Sequence, residues 1–284
     1  MKRRNITYQC ILLVLTLLVF AGYLVLRHTR ADDTGPEITV SDGLLEVSVL
    51  EPEDAYLQGV TATDDRDGDV TDRMLVESVY GITEDHQVTV TYAAFDRAGN
   101  VTKAQRQIRF TDYHSPRFTL DCALTFPCTS GLDVMDYIGA EDVFDGDVVR
   151  RVRATLINNA GTLSDVGIHD VKLQVTNSLG DTAQLVLPVE VYEPEKYNAS
   201  MELDTYLVYL PRGAAFDAKA HLVSMTCGGI TRSLEIVSEE ISVSVAHSVN
   251  MQEPGVYPVS YTARYTGSGQ TYTAYSRLFV VVEE

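Results

Sequence analysis

Hydrophobicity along this chain follows two patterns, which divide it near residue 30. From Cys10 to Leu26 the sequence reads CILLVLTLLVFAGYLVL, 17 residues without a charge, and Ile6 to Gln9 extend the uncharged stretch to 21. As a helix rising ~1.5 Å per residue, the shorter segment covers roughly 26 Å, the low end of a membrane crossing. Lys2, Arg3 and Arg4 precede it and predict a cytoplasmic N-terminus, although Arg27 and Arg30 on the far flank weaken the contrast. The expected organisation is a basic cytoplasmic tail over residues 1–9, an uncleaved transmembrane signal-anchor over 10–27 and a linker over 28–35, with everything beyond lying outside the cytoplasm. A cleaved secretion signal ending at Thr29-Arg30-Ala31 is the competing reading, but Arg27 and His28 sit awkwardly between the apolar stretch and such a cut.

Beyond residue 31 the period becomes two. Apolar side chains stand at Val88, Val90, Tyr92 and Ala94, and again at Val171, Leu173 and Val175, the alternation of half-buried strands. DG, AGN, SLG, EPG and TGSG turns punctuate these runs and no sustained helical spacing interrupts them, which predicts an all-β chain of antiparallel sandwiches. The chain also repeats itself. ATDDRDGDV from Ala62 and AEDVFDGDV from Ala140 superpose Asp64 on Asp142, Asp67 on Asp145 and Asp69 on Asp147, and VTYAAFDRAGN from Val90 matches VKLQVTNSLGD from Val171. A fainter third copy aligns Gly255, Tyr257 and Val259 with Gly167, His169 and Val171 but has no DGD. The joints TDYHSP and YEPEKY then mark three modules, 36–112, 116–193 and 197–284, each long enough for seven short strands. With no tryptophan and no cysteine pair placed to bridge two sheets, each core must rest on packing.

The motif A-x-D-x-x-DGD-V, followed by alternating Val and Tyr and then by D-x-AGN at Asp96 to Asn100, resembles the bacterial immunoglobulin-like modules that occur in tandem on Gram-positive surface proteins and in some insecticidal crystal proteins. The first module matches over residues 36–112, the second departs where DRAGN becomes NSLGD, and the third keeps only the Gly-x-Tyr strand. The resemblance implies a β-sandwich exposed outside the cell and serving as spacer or adhesive surface, with no catalytic residue and no single ligand.

Composition narrows the function classes. The chain is 45% hydrophobic and 22% charged, the balance of a folded protein. All 40 acidic residues lie beyond residue 31, with all the 22 basic ones except Lys2, Arg3, Arg4, Arg27 and Arg30, which leaves that region a formal charge of −23. Nucleic acid is therefore a poor partner, since binding it needs clustered Lys and Arg to neutralise phosphates.

Chemistry-bearing motifs are few. The six histidines never fall at a zinc-ligand spacing, and neither HExxH nor CxxC occurs. Nucleophile motifs such as G-x-S-x-G are missing, so no catalytic residue is nominated and the chain is expected not to be an enzyme. His169 aligns with Tyr257, where a tyrosine corner can bond backbone across a turn, and an imidazole could take that part. Cys122 and Cys128 form the one close cysteine pair, but a hairpin turn followed by about five strand residues would separate them beyond the ~7 Å reach of a disulfide. Asn100-Val-Thr and Asn198-Ala-Ser fit a glycosylation sequon by coincidence if the chain is bacterial.

The aspartates are the chemically suggestive feature. Asp64, Asp65, Asp67, Asp69 and Asp72 put five carboxylates in nine residues, enough oxygen to interest calcium, and Asp142, Asp145 and Asp147 repeat the pattern. The spacing is not that of an EF-hand. The favoured expectation is a turn whose Asp side chains bond nearby amides while Gly68 and Gly146 take positive φ, with weak calcium binding at Asp64, Asp67, Asp69, Asp142, Asp145 and Asp147 as its rival and no other cofactor. Together these features predict a membrane-anchored bacterial cell-surface protein whose modules act as a noncatalytic spacer, adhesion or binding surface for an extracellular protein or glycan. The alternative is an accessory noncatalytic subunit of an envelope membrane complex.

Overall fold

The computed structural model describes residues 2–30, 32–128, 131–157, 163–234, 240–267 and 269–284; within the first thirty, side chains are described for Tyr8 and residues 11–25. The chain begins with helix α1 (Lys2–Arg30). Among the described residues no helix is long and apolar enough to cross a membrane. This overturns the expected single-pass anchor and the localisation that rested on it.

Beyond α1 the described residues form three sandwich-like repeats of seven strands, with short 3-10 turns between strands. The first holds β1 (Glu37–Val40), β2 (Leu45–Val47), β3 (Val60–Asp64), β4 (Gly68–Asp69), β5 (Met74–Tyr80), β6 (Gln87–Phe95) and β7 (Val101–Phe110), in sheets ordered β1-β3-β4 and β2-β7-β6-β5. The second holds β8 (Arg117–Leu120), β9 (Thr125–Pro127), β10 (Ile138–Asp142), β11 (Gly146–Asp147), β12 (Arg153–Ile157), β13 (Gly167–Thr176) and β14 (Thr182–Tyr192), in sheets β8-β10-β11 and β9-β14-β13-β12. The third holds β15 (Ala199–Leu203), β16 (Leu207–Pro211), β17 (Leu222–Cys227), β18 (Ile230–Ser233), β19 (Ile241–His247), β20 (Gly255–Gly267) and β21 (Gln270–Glu283), in sheets β15-β17-β18 and β16-β21-β20-β19.

The period-two positions point where the sequence predicts. Val90, Tyr92 and Ala94 of β6, Val171, Leu173 and Val175 of β13, and Val259, Tyr261 and Ala263 of β20 are all buried. The buried Tyr92 and Tyr261 hydroxyls each donate to a carbonyl across the sandwich, Tyr56 and Ala218 respectively, both at 2.8 Å. One departure from antiparallel pairing recurs three times: β2 with β7, β9 with β14 and β16 with β21 run parallel. In each repeat the opening strand breaks after a few residues and its second half crosses to the other sheet, where it covers the edge of the last strand.

The chain divides into two compact units, Met1–Thr111 and Asp112–Glu284. The second unit contains two sandwiches because they share a core. Phe118, Leu124, Phe126, Leu173 and Leu187 of the second sandwich form one buried cluster with Leu207 and Phe279 of the third, and Tyr206, Tyr209 and Val281 pack against it. Strand β21 alternates between two apolar environments: Leu278, Val280 and Val282 face their own sandwich, whereas Phe279 faces its neighbour.

Polar groups close the same joint. Arg277 Nη2 bonds Glu190 Oε2 at 2.9 Å with both side chains nearly buried, and Lys196 Nζ donates to Glu190 Oε1 at 2.7 Å. Tyr197 from the YEPEKY joint stacks on Tyr275 at 5.4 Å and meets Tyr192 edge-on at 4.8 Å. On the other side, Arg117 makes a bidentate pair with Glu283 and lies over the Tyr209 ring. Burial pushes the Tyr209 hydroxyl up to about 12 despite its bond from the Phe118 amide, so it stays protonated.

Candidate functional site

The DGD loops are built as turns. At the end of β3, Asp64 Oδ1 accepts the amides of Arg66 and Asp67 at 2.9 and 2.8 Å; at the end of β10, Asp142 Oδ1 accepts those of Phe144 and Asp145 at 3.0 and 2.8 Å. Gly68 and Gly146 take φ of +76° and +72°. A Cβ at either position would meet no atom within 4 Å, so the demand for glycine is conformational. Gly68→Ala and Gly146→Ala are each expected to destabilise by about 1 kcal/mol, read as a lowered urea midpoint at unchanged slope.

The remaining DGD carboxylates also serve the turns. Asp69 and Asp147 accept the amides of Thr71 and Val149, both at 2.9 Å, and bonds from Thr71 hold the Asp69 carboxyl below its usual range. Asp67 accepts the amide of Arg97 and Asp145 that of Ser178, which ties each DGD loop to the loop after the sixth strand of its sandwich. Burial pushes the Asp145 carboxyl up, but bonds from Ser178 and Arg151 outweigh it and hold that carboxyl low.

Long-range folding gathers a different set of carboxylates. Asp32, ahead of β1, Asp64, ending β3, and Asp96, just after β6, each bring a carboxylate oxygen within 4.8 Å of the other two. Among the described residues this is the only group of three or more His, Cys, Asp or Glu side chains close enough together to hold a metal. Asp64 and Asp96 are 7% and 5% exposed. Two carboxylates ~4 Å apart repel by roughly 4 kcal/mol at an effective dielectric of about 20, so three ionised together require compensation. Arg66 supplies part of it, with Nε 3.8 Å from Asp32 Oδ1. For Asp96, burial raises the pKa but the side-chain amide of Asn100 and the backbone amides of Asn100, Gly99 and Ala98 more than offset it, favouring the charged form. Asp64 Oδ2 is buried and has no hydrogen-bond partner. Of the six carboxylates nominated from sequence, only Asp64 belongs to this trio. Asp96 is the first letter of the DRAGN motif, and Asp32 lies in the linker four residues before Pro36, as Asp112 does before Pro116.

Asn100 frames the trio. Its Nδ2 lies 2.6 Å from Asp96 Oδ2, 3.0 Å from the Asp32 carbonyl oxygen and 2.9 Å from that of Thr34, clamping the segment before β1 onto the end of the sandwich.

The second sandwich holds the same scaffold with different chemistry. Asn177 stands in place of Asp96, and its Nδ2 donates to Asp142 Oδ2 at 3.0 Å and to the Tyr113 hydroxyl at 2.8 Å. That hydroxyl donates to Asp181 Oδ2 at 2.7 Å, and Asp181 occupies the place of Asn100. A neutral amide thus satisfies, on Asp142, the oxygen that is left bare on Asp64.

Other nominated residues have structural roles. The His169 ring nitrogen lies 2.7 Å from the Asp165 carbonyl and the Tyr257 hydroxyl 2.9 Å from that of Glu253, the same corner in two sandwiches. Cys122, Cys128 and Cys227 are free thiols. The Asn198 side chain bonds the Thr271 carbonyl and the Thr273 amide. Beside the joint of the second unit lies a groove of about 550 Å³ whose lining includes Val166, Ile168, Tyr192 and Lys196.

No family model matches the chain, and no curated protein matches it in sequence. Among solved structures, extracellular cadherin domains 1–5 of protocadherin gamma B2 are similar over 89% of this chain and 61% of their own length, at 14% identity and a TM-score of 0.21. Mouse cadherin-23 EC22-24 is similar over 88% of this chain and 99% of its own, at 13% identity and a TM-score of 0.21. The CBM51-2 and INT domains of Clostridium perfringens ZmpB are similar over 58% and 30%, at 19% identity and a TM-score of 0.22. The chain thus spans about three fifths of the first of these proteins.

Proposed function

We propose that this chain is a noncatalytic array of immunoglobulin-like sandwiches in which a stiff two-sandwich body holds a binding or adhesive surface at fixed spacing. The observation that carries the reading is the continuous core between the second and third sandwiches, where Phe279 and Leu207 pack among the side chains of their neighbour and Arg277 pairs with Glu190. A joint with buried apolar and ionic contacts resists bending, which suits a spacer or a composite binding face better than a flexible string. The resemblance of the DGD and DRAGN motifs to bacterial surface modules supports the same reading, and the acidic charge favours a protein or glycan over nucleic acid as partner.

Spin labels on noncanonical side chains at the exposed positions 153 and 244 of the full chain test the stiffness. A single narrow distance distribution is expected. A broad one spanning tens of ångströms would sink the proposal, because a freely bending joint cannot hold a composite surface.

A further inference from the structure

The end of the first sandwich carries one buried polar atom that the fold leaves unsatisfied at the centre of a charge cluster. Asp64 Oδ2 is enclosed and has no hydrogen-bond partner, although Oδ1 of the same carboxylate accepts two amides. It belongs to the trio with Asp32 and Asp96, whose ligand oxygens lie within 4.8 Å of one another. Native folds rarely strand a buried carboxylate oxygen, and where they do, an ion is among the standard explanations.

The second sandwich serves as an internal control. There the corresponding Asp142 Oδ2 accepts the Asn177 amide, and Asn177 and Tyr113 complete a closed hydrogen-bond chain to Asp181. One scaffold therefore appears twice, once plugged by neutral donors and once with a carboxylate, Asp96, where the amide would be. Nothing about the turn requires that difference, since both DGD loops have the same amide bonds and the same positive φ.

We infer that Asp32, Asp64 and Asp96 form a site for one hard divalent cation of the calcium class, with none at the equivalent place in the second sandwich. All three donors are carboxylate oxygens, a set that suits calcium or magnesium better than zinc or copper, which favour nitrogen and sulfur. Oxygens on opposite sides of a calcium ion stand ~4.8 Å apart, twice a bond of about 2.4 Å, whereas an octahedral magnesium sphere spans only ~4.1 Å. The trio's ligand oxygens, all within 4.8 Å of one another, fall inside the calcium span. A divalent charge with Arg66 neutralises the three carboxylates, and Asn100 already holds Asp96 and the backbone of Asp32 in place. The ion would fasten the segment before β1 to the ends of β3 and β6.

Isothermal titration calorimetry of calcium chloride into the full, chelator-treated chain decides it. One ion per chain is expected, with affinity reduced at least tenfold in Asp96→Asn, the substitution that Asn177 embodies in the second sandwich. Asp145→Asn, in the second DGD loop, is expected to leave both stoichiometry and affinity unchanged. Should Asp96→Asn misfold by circular dichroism, Asp32→Asn substitutes for it, because residue 32 lies outside every strand. Absence of binding at millimolar calcium, two ions per chain, undiminished binding in Asp96→Asn or Asp32→Asn, or tighter binding of magnesium would each overturn the assignment.

Discussion

Phe279→Ala is expected to destabilise the Asp112–Glu284 unit by about 3–5 kcal/mol and to separate the melting of its two sandwiches. Phe279 is fully buried, yet it takes no part in the core of its own sandwich; its ring sits in the cluster formed by Phe118, Leu124, Leu187 and Leu207. Truncation removes the transfer free energy of a phenyl group and opens a cavity that two sheets, each held by its own strand pairing, cannot close by collapsing. The coupling between sandwiches falls with it. Calorimetry of the full chain should show one transition for this unit in the unaltered protein and two in the variant, the lower belonging to the less stable sandwich. A loss below ~1 kcal/mol with the transition still single would mean that the shared core does not couple them. Val280→Ala makes the comparison, since Val280 faces the third sandwich's own core and should lower that sandwich without uncoupling it.

How far this arrangement was legible in the sequence depends on the range of the interactions. The strands were, because period-two alternation such as Val88 to Ala94 reports one-sided burial directly, and the repeated DGD fixed the turns. The shared core left a fainter mark. Residues 278–282 read LFVVV, a continuous apolar run of the kind that burial on both faces produces, and a search for alternation passes over it. The parallel pairing of β2, β9 and β16 leaves almost no pattern, since three to five residues are too few to show a period and their partners lie at the far end of the same sandwich. At the carboxylate trio, Asp64 was visible in its motif and the exchange of Asp96 for Asn177 was visible in the repeat alignment. The arrival of Asp32 was not, because only the path of the segment before β1, clamped by Asn100, brings it there.

Arg277→Ala carries the other large expected effect. Arg277 Nη2 meets Glu190 Oε2 at 2.9 Å with the two side chains 8% and 11% exposed, and its remaining donors reach the Tyr275 hydroxyl and the Pro188 carbonyl. Removing the guanidinium leaves Glu190, little exposed at the edge of the groove, with Lys196 as its remaining ionic partner. Breaking a buried pair in this way costs about 3–5 kcal/mol, whereas replacing both partners by apolar side chains of similar volume is often neutral or stabilising. Urea denaturation of three variants therefore separates pairing from packing. Arg277→Ala and Glu190→Ala should each lower stability by several kcal/mol, and the double replacement Arg277→Met with Glu190→Leu should recover most of the loss. Lys196→Ala should cost under about 1 kcal/mol, because that side chain is half exposed and exposed pairs contribute little. If Arg277→Ala also costs under ~1 kcal/mol, water must reach Glu190 freely, and the stiffness of the joint would then rest on Phe279 and its apolar neighbours alone.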